Sequence, residues 1–299
     1  MATLAELARH LKAKYDIAGC DMKTTNVSGV HFYCADEPLE RCPMIYHSGI
    51  IIMVEGQKFG YLGGRTFTYN PQHYLTLGLP LALECEAHAS PDQPLSGLFI
   101  EVNPAIVSDV ALAMGMDLTR NEADVLAVEA APMSPEMSDA VARLVTHLCS
   151  DVESAVLGAG CVREIIYRAL EGPAGFALKG LLRQESHTVA VAKVMQAIHG
   201  DCAAQRSIED MARMVGMSSS SFHRAFRQVT DDTPLQYIKK VRLTQARALI
   251  VDEGYRVGSA ASAVGYESAA QFSRDFKTYF GLTAVDARRL GNPFAATSS

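Results

Sequence analysis

Residues 207–281 contain one short pattern twice. The first copy reads ARMVG at 212–216 and, after a polar turn, FHRAFR at 222–227. The second reads ASAVG at 261–265 and, after another turn, FSRDFK at 272–277. A small residue and a glycine let two helices cross closely, and phenylalanines four residues apart bury one face of the second helix. Each copy therefore predicts a helix-turn-helix unit.

The second helix of the first copy has a polar face suited to the major groove of DNA. Ser207 and Asp210 form a capping-box pattern that starts the preceding helix, and Ser218 is the predicted N-cap of this one. Arginine can hold guanine through two hydrogen bonds, and a helix N-terminus attracts phosphate. We therefore expect DNA contacts from the side chains on the face opposite the phenylalanines, which are Ser219, Ser220, His223, Arg224 and Arg227.

The corresponding face of the second copy has fewer hydrogen-bond donors. Alanines at its N-terminal end favour contact with thymine methyl groups, and its cations favour the DNA backbone. We expect DNA contacts here from Ala269, Ala270, Gln271, Ser273, Arg274 and Lys277. The two units are thus predicted to be unequal, the first reading bases and the second holding the backbone.

A long helix is predicted between the two units. Thr233 and Pro234 are an N-cap and a first-turn proline, and an apolar stripe continues to about Asp252. One rigid helix would fix the two recognition helices relative to each other. They could then enter successive major grooves on one face of DNA, about 34 Å apart.

These residues resemble the C-terminal DNA-binding domain of AraC/XylS-type transcription regulators. The resemblance runs through 215–249 and 264–281 and includes the blocks VGYES at 264–268 and FSRDFK at 272–277. Residues 47–74 and 157–175 are similar to the cupin-like N-terminal region of one branch of that family. The resemblance implies a promoter-binding protein whose N-terminal domain senses a small molecule or mediates dimerisation. The chain departs from the family pattern in having Ala284 and Ala287 where proline and tyrosine are frequent.

Charge is distributed unevenly along the 299 residues, whose net charge is −6. Residues 187–299 hold 14 basic and 10 acidic residues, whereas residues 1–186 hold 13 basic and 23 acidic residues. The acidic part is unsuited to a DNA surface, and the C-terminal part is suited to one. Residues 1–15 have leucines at helical spacing rather than a signal sequence, so we expect a cytoplasmic protein without a membrane span.

The N-terminal part alternates short apolar runs with turn signals. Runs near 50–54, 59–62, 65–69, 73–77, 81–85 and 98–102 predict strands of a small antiparallel β-barrel or sandwich. From Asn103 to Ser207 the pattern is mostly helical, and its apolar stripes could pack between subunits or on the barrel of their own subunit. The predicted fold is α+β, with a cupin-like β-barrel and helices over 1–186 and an all-α double helix-turn-helix domain over 187–293.

Polar and aromatic residues of the predicted barrel are candidates for an effector pocket. These are His47, Arg65, Tyr69, His73 and Tyr74, for which surface or ordinary core positions are the alternative. A metal-loaded cupin would need two histidines one residue apart, and the chain has no such pair. We therefore expect no metal, no cofactor and no catalysis.

The seven cysteines are scattered and form no Cys-x-x-Cys pair, which argues against a disulfide framework or a zinc finger. Cys20, His31, Cys34 and Cys42 lie close enough in sequence to suggest a thiol sensor. Ordinary buried thiols are the simpler interpretation.

The sequence thus predicts an effector-responsive, sequence-specific regulator that binds double-stranded promoter DNA. Its expected partners are an unknown small molecule, RNA polymerase and a second copy of the chain. Two alternatives remain open, a regulator that acts mainly by pairing with another protein and an N-terminal cupin-type enzyme fused to a DNA-binding domain.

Overall fold

A computed structural model describes residues 3–62, 64–116, 128–182 and 187–290, and its N-terminal part is built on two antiparallel sheets. One sheet has six strands in the order β1-β2-β9-β4-β7-β10, and the other has four in the order β3-β8-β5-β6. The strands are β1 Asp21–Thr24, β2 Val30–Ala35, β3 Leu39–Tyr46, β4 Gly49–Glu55, β5 Lys58–Leu62, β6 Arg65–Tyr69, β7 His73–Leu77, β8 Leu81–Ala87, β9 Leu95–Glu101 and β10 Val128–Pro132. The predicted antiparallel β domain is confirmed, with its strands divided between two sheets.

Two apolar layers enclose the six-stranded sheet. Ile51 and Met53 of β4 belong to the layer that faces the four-stranded sheet. Ile50 and Ile52 belong to the layer beneath the N-terminal helices. Successive side chains of a strand point to opposite faces, so a strand covered on both sides has no polar alternation. This explains the uninterrupted apolar run at 50–54.

Three of the longer helices of the N-terminal part begin at side-chain caps. Asn103, Ser134 and Ser150 each accept a hydrogen bond from a backbone N–H of the first turn, which satisfies a donor that the helix leaves open. The helices are α1 Leu4–Lys14, α2 Pro104–Ala113, α3 Pro135–Leu148, α4 Asp151–Glu171 and α5 Gly175–Lys179. The apolar stripe of α3 is buried within its own subunit. No helix of the described ranges is long and apolar enough to cross a membrane.

Four strands are not predicted by the sequence. β1, β2 and β3 lie in the cysteine-containing stretch, where the sequence pattern predicts no strands, and β10 lies in the region predicted to be mostly helical. β10 reads VEAAP, whose alanines and proline are poor strand formers, and it pairs along the edge with β7. Tertiary pairing overrides local propensity there.

The described residues of the C-terminal part form helices joined by short loops. Its helices are α6 His187–Gly200, α7 Ile208–Met214, α8 Ser219–Thr230, α9 Pro234–Val251, α10 Val257–Ala263, α11 Ala269–Phe280 and α12 Ala284–Leu290. Thr233 caps α9 through a capping box with Gln236. The predicted boundary near 184–187 falls largely outside the described residues, and α6 begins immediately after the gap.

The long helix α9 holds the two helix-turn-helix units together through one arginine. The Arg242 guanidinium donates hydrogen bonds to four backbone carbonyls, at Cys202, Ala203, Ala204 and Gly265. These carbonyls come from the loop before the first unit and from the turn of the second. At the other end, Ala284 and Ala287 are buried, and the Thr283 hydroxyl accepts a hydrogen bond from the Asp286 N–H at the start of α12.

The two parts of the chain are in direct contact. Tyr237 of α9 is fully buried, and its hydroxyl donates a hydrogen bond of 3.1 Å to the Pro80 carbonyl before β8. Helices α9 and α11 also pack against β3. Helix α11, which carries part of the candidate DNA-binding surface, therefore packs directly on the four-stranded sheet.

Candidate nucleic-acid interface and ligand cavity

The first helix-turn-helix unit consists of α7, a tight turn and α8. Gly216 adopts a positive φ of 67°, which a residue without Cβ does at little cost. The Ser218 hydroxyl then accepts a hydrogen bond of 3.3 Å from the Ser221 N–H and starts α8. Phe222 and Phe226 are fully buried, so the opposite face of α8 is directed away from the core.

The predicted contact residues of α8 share this outward face. Ser220, Arg224 and Arg227 are exposed, whereas Ser219 and His223 are half-buried. In the part of the chain that the structure describes, neither arginine makes a hydrogen bond or ion pair. Their charges are thus available to an external anion.

The second unit has the same construction with a different surface. Gly265 adopts a φ of 86°, and Ser268 caps α11. Residues 269–271 are exposed, as are Ser273, Arg274 and Lys277. The Ser273 hydroxyl donates to the Ala269 carbonyl at 2.9 Å, so its proton is directed into its own helix.

The basic side chains in and beside the second unit differ in whether they form ion pairs. Lys239 of α9 forms an ion pair of 2.6 Å with Asp275 of α11, which also accepts from the Tyr266 hydroxyl at 3.3 Å. This carboxylate is therefore neutralised on the inner side of α11. Arg274 and Lys277 make no ion pair among the described residues and leave a positive outer surface.

A narrow cavity lies between the two sheets. The volume in which the centre of a water molecule fits is about 30 Å³. The cavity therefore has room for a few waters. Apart from one histidine and one lysine its wall is apolar or aromatic, and its lining residues are Met22, Tyr33, Met44, Tyr46, His47, Ile51, Lys58 and Phe99. The arrangement is that of a small apolar site with a few polar groups.

Lys58 is the cationic residue of this wall. It is only 3% exposed, and its Nζ donates a hydrogen bond of 3.0 Å to the Tyr46 hydroxyl. The same nitrogen lies 5.3 Å from the centroid of the Tyr33 ring and 5.5 Å from that of Tyr46, within the range of cation–π attraction. The aromatic rings partly replace the hydration that the amine loses on burial.

The structure places one of the five predicted pocket residues, His47, in the cavity wall. The buried Tyr69 lies behind the wall, with its hydroxyl 3.2 Å from that of the lining residue Tyr46. Arg65 lies outside, 3.6 Å from Glu129, and His73 bonds to Asn70. Tyr74 lies in the apolar layer on the far side of the six-stranded sheet. One sequence signal could have found Lys58, because the hairpin of β5 and β6 pairs it with Tyr69 and so places both on one face.

A chain of aromatic contacts leads from the cavity to the first recognition helix. The ring centroids of His47 and His199 of α6 are 5.7 Å apart, and the His199 Nε2 lies 2.8 Å from the Tyr237 hydroxyl. The Tyr237 ring in turn lies 5.5 Å from Phe226 of α8. Burial, with the nearby His47, lowers the pKa of His199 to about 4.

Within residues 3–62, 64–116, 128–182 and 187–290, no three His, Cys, Asp or Glu side chains are grouped so that they could hold a metal ion.

The architecture defines a class of protein, in which a two-sheet β domain precedes two helix-turn-helix units joined by a long helix. The family model for the N-terminus of AraC-type transcriptional regulators matches residues 26–177, and a helix-turn-helix domain model matches residues 211–290. The chain therefore belongs to the AraC-type transcriptional regulators, as the resemblance implied.

Curated relatives match over part of their length. The chain is 30% identical over 138 residues to the regulator AlkR of Acinetobacter baylyi, covering 46% of this chain and 41% of that protein. It is 29% identical over 115 residues to the Msm operon regulatory protein of Streptococcus mutans, covering 38% of this chain and 41% of the relative. The chain thus spans less than half the length of these relatives.

Solved structures share the fold across both domains. An apo variant of ToxT from Vibrio cholerae superposes with a TM-score of 0.60 at 9% identity, over 90% of this chain and all of the other. Wild-type ToxT bound to an unsaturated fatty acid gives 0.55 at 10% identity, over 86% and 93% of the two chains. At this identity the likeness shows the fold alone.

Proposed function

We propose that this protein is a sequence-specific DNA-binding transcription regulator that responds to a small molecule. The observation that carries the proposal is the pair of exposed recognition helices, whose outward cations have no partner within the described chain. Four such cations, Arg224, Arg227, Arg274 and Lys277, are placed to meet phosphates or base edges. Acting on promoters, the protein would work in the cytoplasm.

The two recognition helices have unequal tasks in this proposal. On α8, Arg224 is exposed beside serine and histidine side chains that can reach base edges. On α11, alanines occupy the corresponding N-terminal positions, and the Ser273 hydroxyl is engaged with its own helix. We assign base recognition mainly to α8, and thymine-methyl and phosphate contacts to α11.

The effector is a small apolar molecule that carries an acidic or hydrogen-bond-accepting group. The cavity supplies a buried lysine nitrogen among aromatic and methionine side chains. Methionine is flexible, so Met22 and Met44 can move aside to enlarge a site that holds only a few waters in its present form. The fatty acid bound by ToxT, a protein of the same fold, supports this ligand class.

The effector signal would pass along the contacts from His47 through His199 and Tyr237 to Phe226. His47 lies between β3 and β4, the other three residues belong to three different helices, and Tyr237 also bonds to the Pro80 carbonyl. A ligand that displaces His47 would therefore disturb the packing behind α8. Coupling of this kind requires that the ligand bind two arrangements of the interface unequally.

A second copy of the chain is the proposed protein partner, together with RNA polymerase. Helix α4 exposes Val152, Val156 and Leu157, which are 74%, 72% and 44% accessible. Their spacing of one helical turn gives an aliphatic ridge that self-association would cover. Measuring the molar mass of the intact protein and of Val156→Glu by light scattering tests this, since a monomer in both cases contradicts it.

The decisive experiment for function is selection of binding sites from random DNA, followed by footprinting on the selected sequence. We expect protection of two adjacent major grooves on one face, about 10 base pairs apart. The binding constant should fall linearly on a log-log plot as salt rises, because phosphate contacts release counterions. An unenriched pool, or affinity independent of salt, would overturn the proposal.

A further inference from the structure

Two cysteines face each other across the four-stranded sheet. Cys42 of β3 and Cys85 of β8 are directly opposed in the antiparallel register. Directly opposed residues have Cα atoms about 4.5 to 5.5 Å apart, and a disulfide needs about 4.4 to 6.8 Å. Both are free thiols here. The backbone thus already holds the two thiols at bridging distance.

The surroundings of this pair favour reaction at sulfur. The Cys85 Sγ lies 2.9 Å from the Met44 Sδ. A hydrogen bond from Cys42 lowers the pKa of Cys85 against the opposing effect of burial, and Lys58 lowers it further. The same hydrogen bond, together with burial, raises the pKa of Cys42. Burial also raises the pKa of Cys20 to about 12. Of the two opposed thiols Cys85 is therefore the more easily deprotonated, which suits it to attack a Cys42 sulfur that has already been oxidised.

The two thiols differ in access to solvent. Cys85 is fully buried, whereas Cys42 is partly exposed on β3, the edge strand of its sheet. A β-bulge between Leu39 and Cys42 interrupts the pairing just before it. A small oxidant would therefore reach Cys42 first, and Cys85 would meet the product from inside the sheet.

We propose that Cys42 and Cys85 form a reversible disulfide when the protein meets a small two-electron oxidant such as hydrogen peroxide. The Cys42 sulfur attacks one peroxide oxygen, the O–O bond breaks, and the thiol proton leaves with the released hydroxide as water. The Cys85 sulfur then attacks the resulting sulfenic acid, and the S–O bond breaks to release a second water. The two thiols lose two electrons in total, and the peroxide gains them.

The location of the pair suggests a consequence for the DNA-binding domain. The outer face of the same two strands, with Pro43 and Glu84, forms one wall of a groove. The other wall belongs to α9 and α11, with Leu243 and Tyr279. Disulfide formation brings the sulfurs to about 2.05 Å and fixes the spacing between β3 and β8, which reduced thiols leave free to adjust. We infer, resting on the proposed function, that oxidation changes DNA affinity through this contact.

The modification site is tested on the full-length, reduced protein with hydrogen peroxide alone. After alkylation of remaining thiols, peptide mapping by mass spectrometry should find a Cys42–Cys85 cross-link that dithiothreitol removes. Cys42→Ser should abolish it, while Cys149→Ser, another partly buried cysteine, should leave it intact. Because Cys42 is partly exposed, its serine variant keeps the test valid even if Cys85→Ser fails to fold. A cross-link to any other cysteine, or oxidised Cys42 with Cys85 still alkylated, overturns the assignment.

The regulatory consequence is tested by measuring DNA affinity before and after oxidation. We expect a change of about five-fold or more, reversed by dithiothreitol and absent in Cys42→Ser. If the cross-link forms and affinity stays constant, the regulatory inference is wrong and the modification site stands. If neither form prefers any DNA sequence, the failure belongs to the proposed function instead.

Discussion

His47 and His199 place their ring centroids 5.7 Å apart and tilted by 55° across the contact between the β domain and the helical domain. One ring lines the cavity, and the other bonds to Tyr237 behind the first recognition helix. The Tyr237 hydroxyl donates its hydrogen bond to the Pro80 carbonyl. We therefore assign the His199 Nε2 as the donor in its hydrogen bond to the Tyr237 oxygen. Protonating the His199 imidazole would place a positive charge at a largely buried contact.

This relationship predicts that the protein loses stability in mild acid. The folded-state pKa of His199 is lowered from 6.5 to about 4, so the unfolded chain binds the proton more readily. Above about pH 6.5 the group is neutral in both states and contributes nothing. As pH falls from 6.5 to about 4, the free energy of unfolding should decrease by roughly 3 kcal/mol from this group. Urea unfolding across this range should show the decrease.

The control for this prediction is His199→Gln, whose amide can still donate to Tyr237 but cannot take up a proton. The variant should unfold with a markedly flatter pH dependence between 6.5 and 4. An unchanged slope would assign the acid sensitivity to other groups.

The turn glycines provide a matched pair of substitutions. Both have positive φ, but a Cβ at Gly216 meets nothing within 4 Å, whereas one at Gly265 lies 2.7 Å from the Ala203 carbonyl oxygen. Gly216→Ala should therefore cost only the backbone strain, roughly 1 to 2 kcal/mol. Gly265→Ala should cost clearly more, because Arg242 also holds Ala203 in place. Chemical denaturation of both variants measures the difference, and equal losses would contradict it.

The sequence predicts those features of the fold that are determined by residues close together in the chain. The two units, the caps at Ser218 and Thr233, and the long helix follow from spacing over a few residues, and all are present. β10 could not be predicted, because its pairing with β7 comes from residues about fifty positions away. The same limit applies to the cavity, whose wall draws on strands from Met22 to Phe99.

Lys58→Met should distinguish the contribution of the ligand's charged group to binding from that of its apolar part. The substitution keeps the length and apolar character of the side chain but removes the donor beside Tyr46. A hydrogen bond to a charged group contributes about 1.5 to 3 kcal/mol, so decanoate should bind roughly ten-fold or more weakly. Decanol, with the same apolar chain and no carboxylate, should bind both proteins alike. Calorimetric titration tests this, and equal decanoate affinity for the two proteins would rule out Lys58 as the contact.

Arg224→Ala and Lys277→Ala should differ in kind, because one side chain is assigned to a base and the other to phosphate. Losing Arg224 should cost about 1 to 3 kcal/mol at the preferred site and relax base preference at one position. Losing Lys277 should weaken all sequences similarly and reduce the salt slope by about one. Arg41→Ala is the charge-matched control, since Arg41 pairs with Glu84 in the β domain. Affinities measured on single-base variants of the selected site decide the assignment, and an Arg224→Ala protein that retains the full base preference would show that another residue makes that contact.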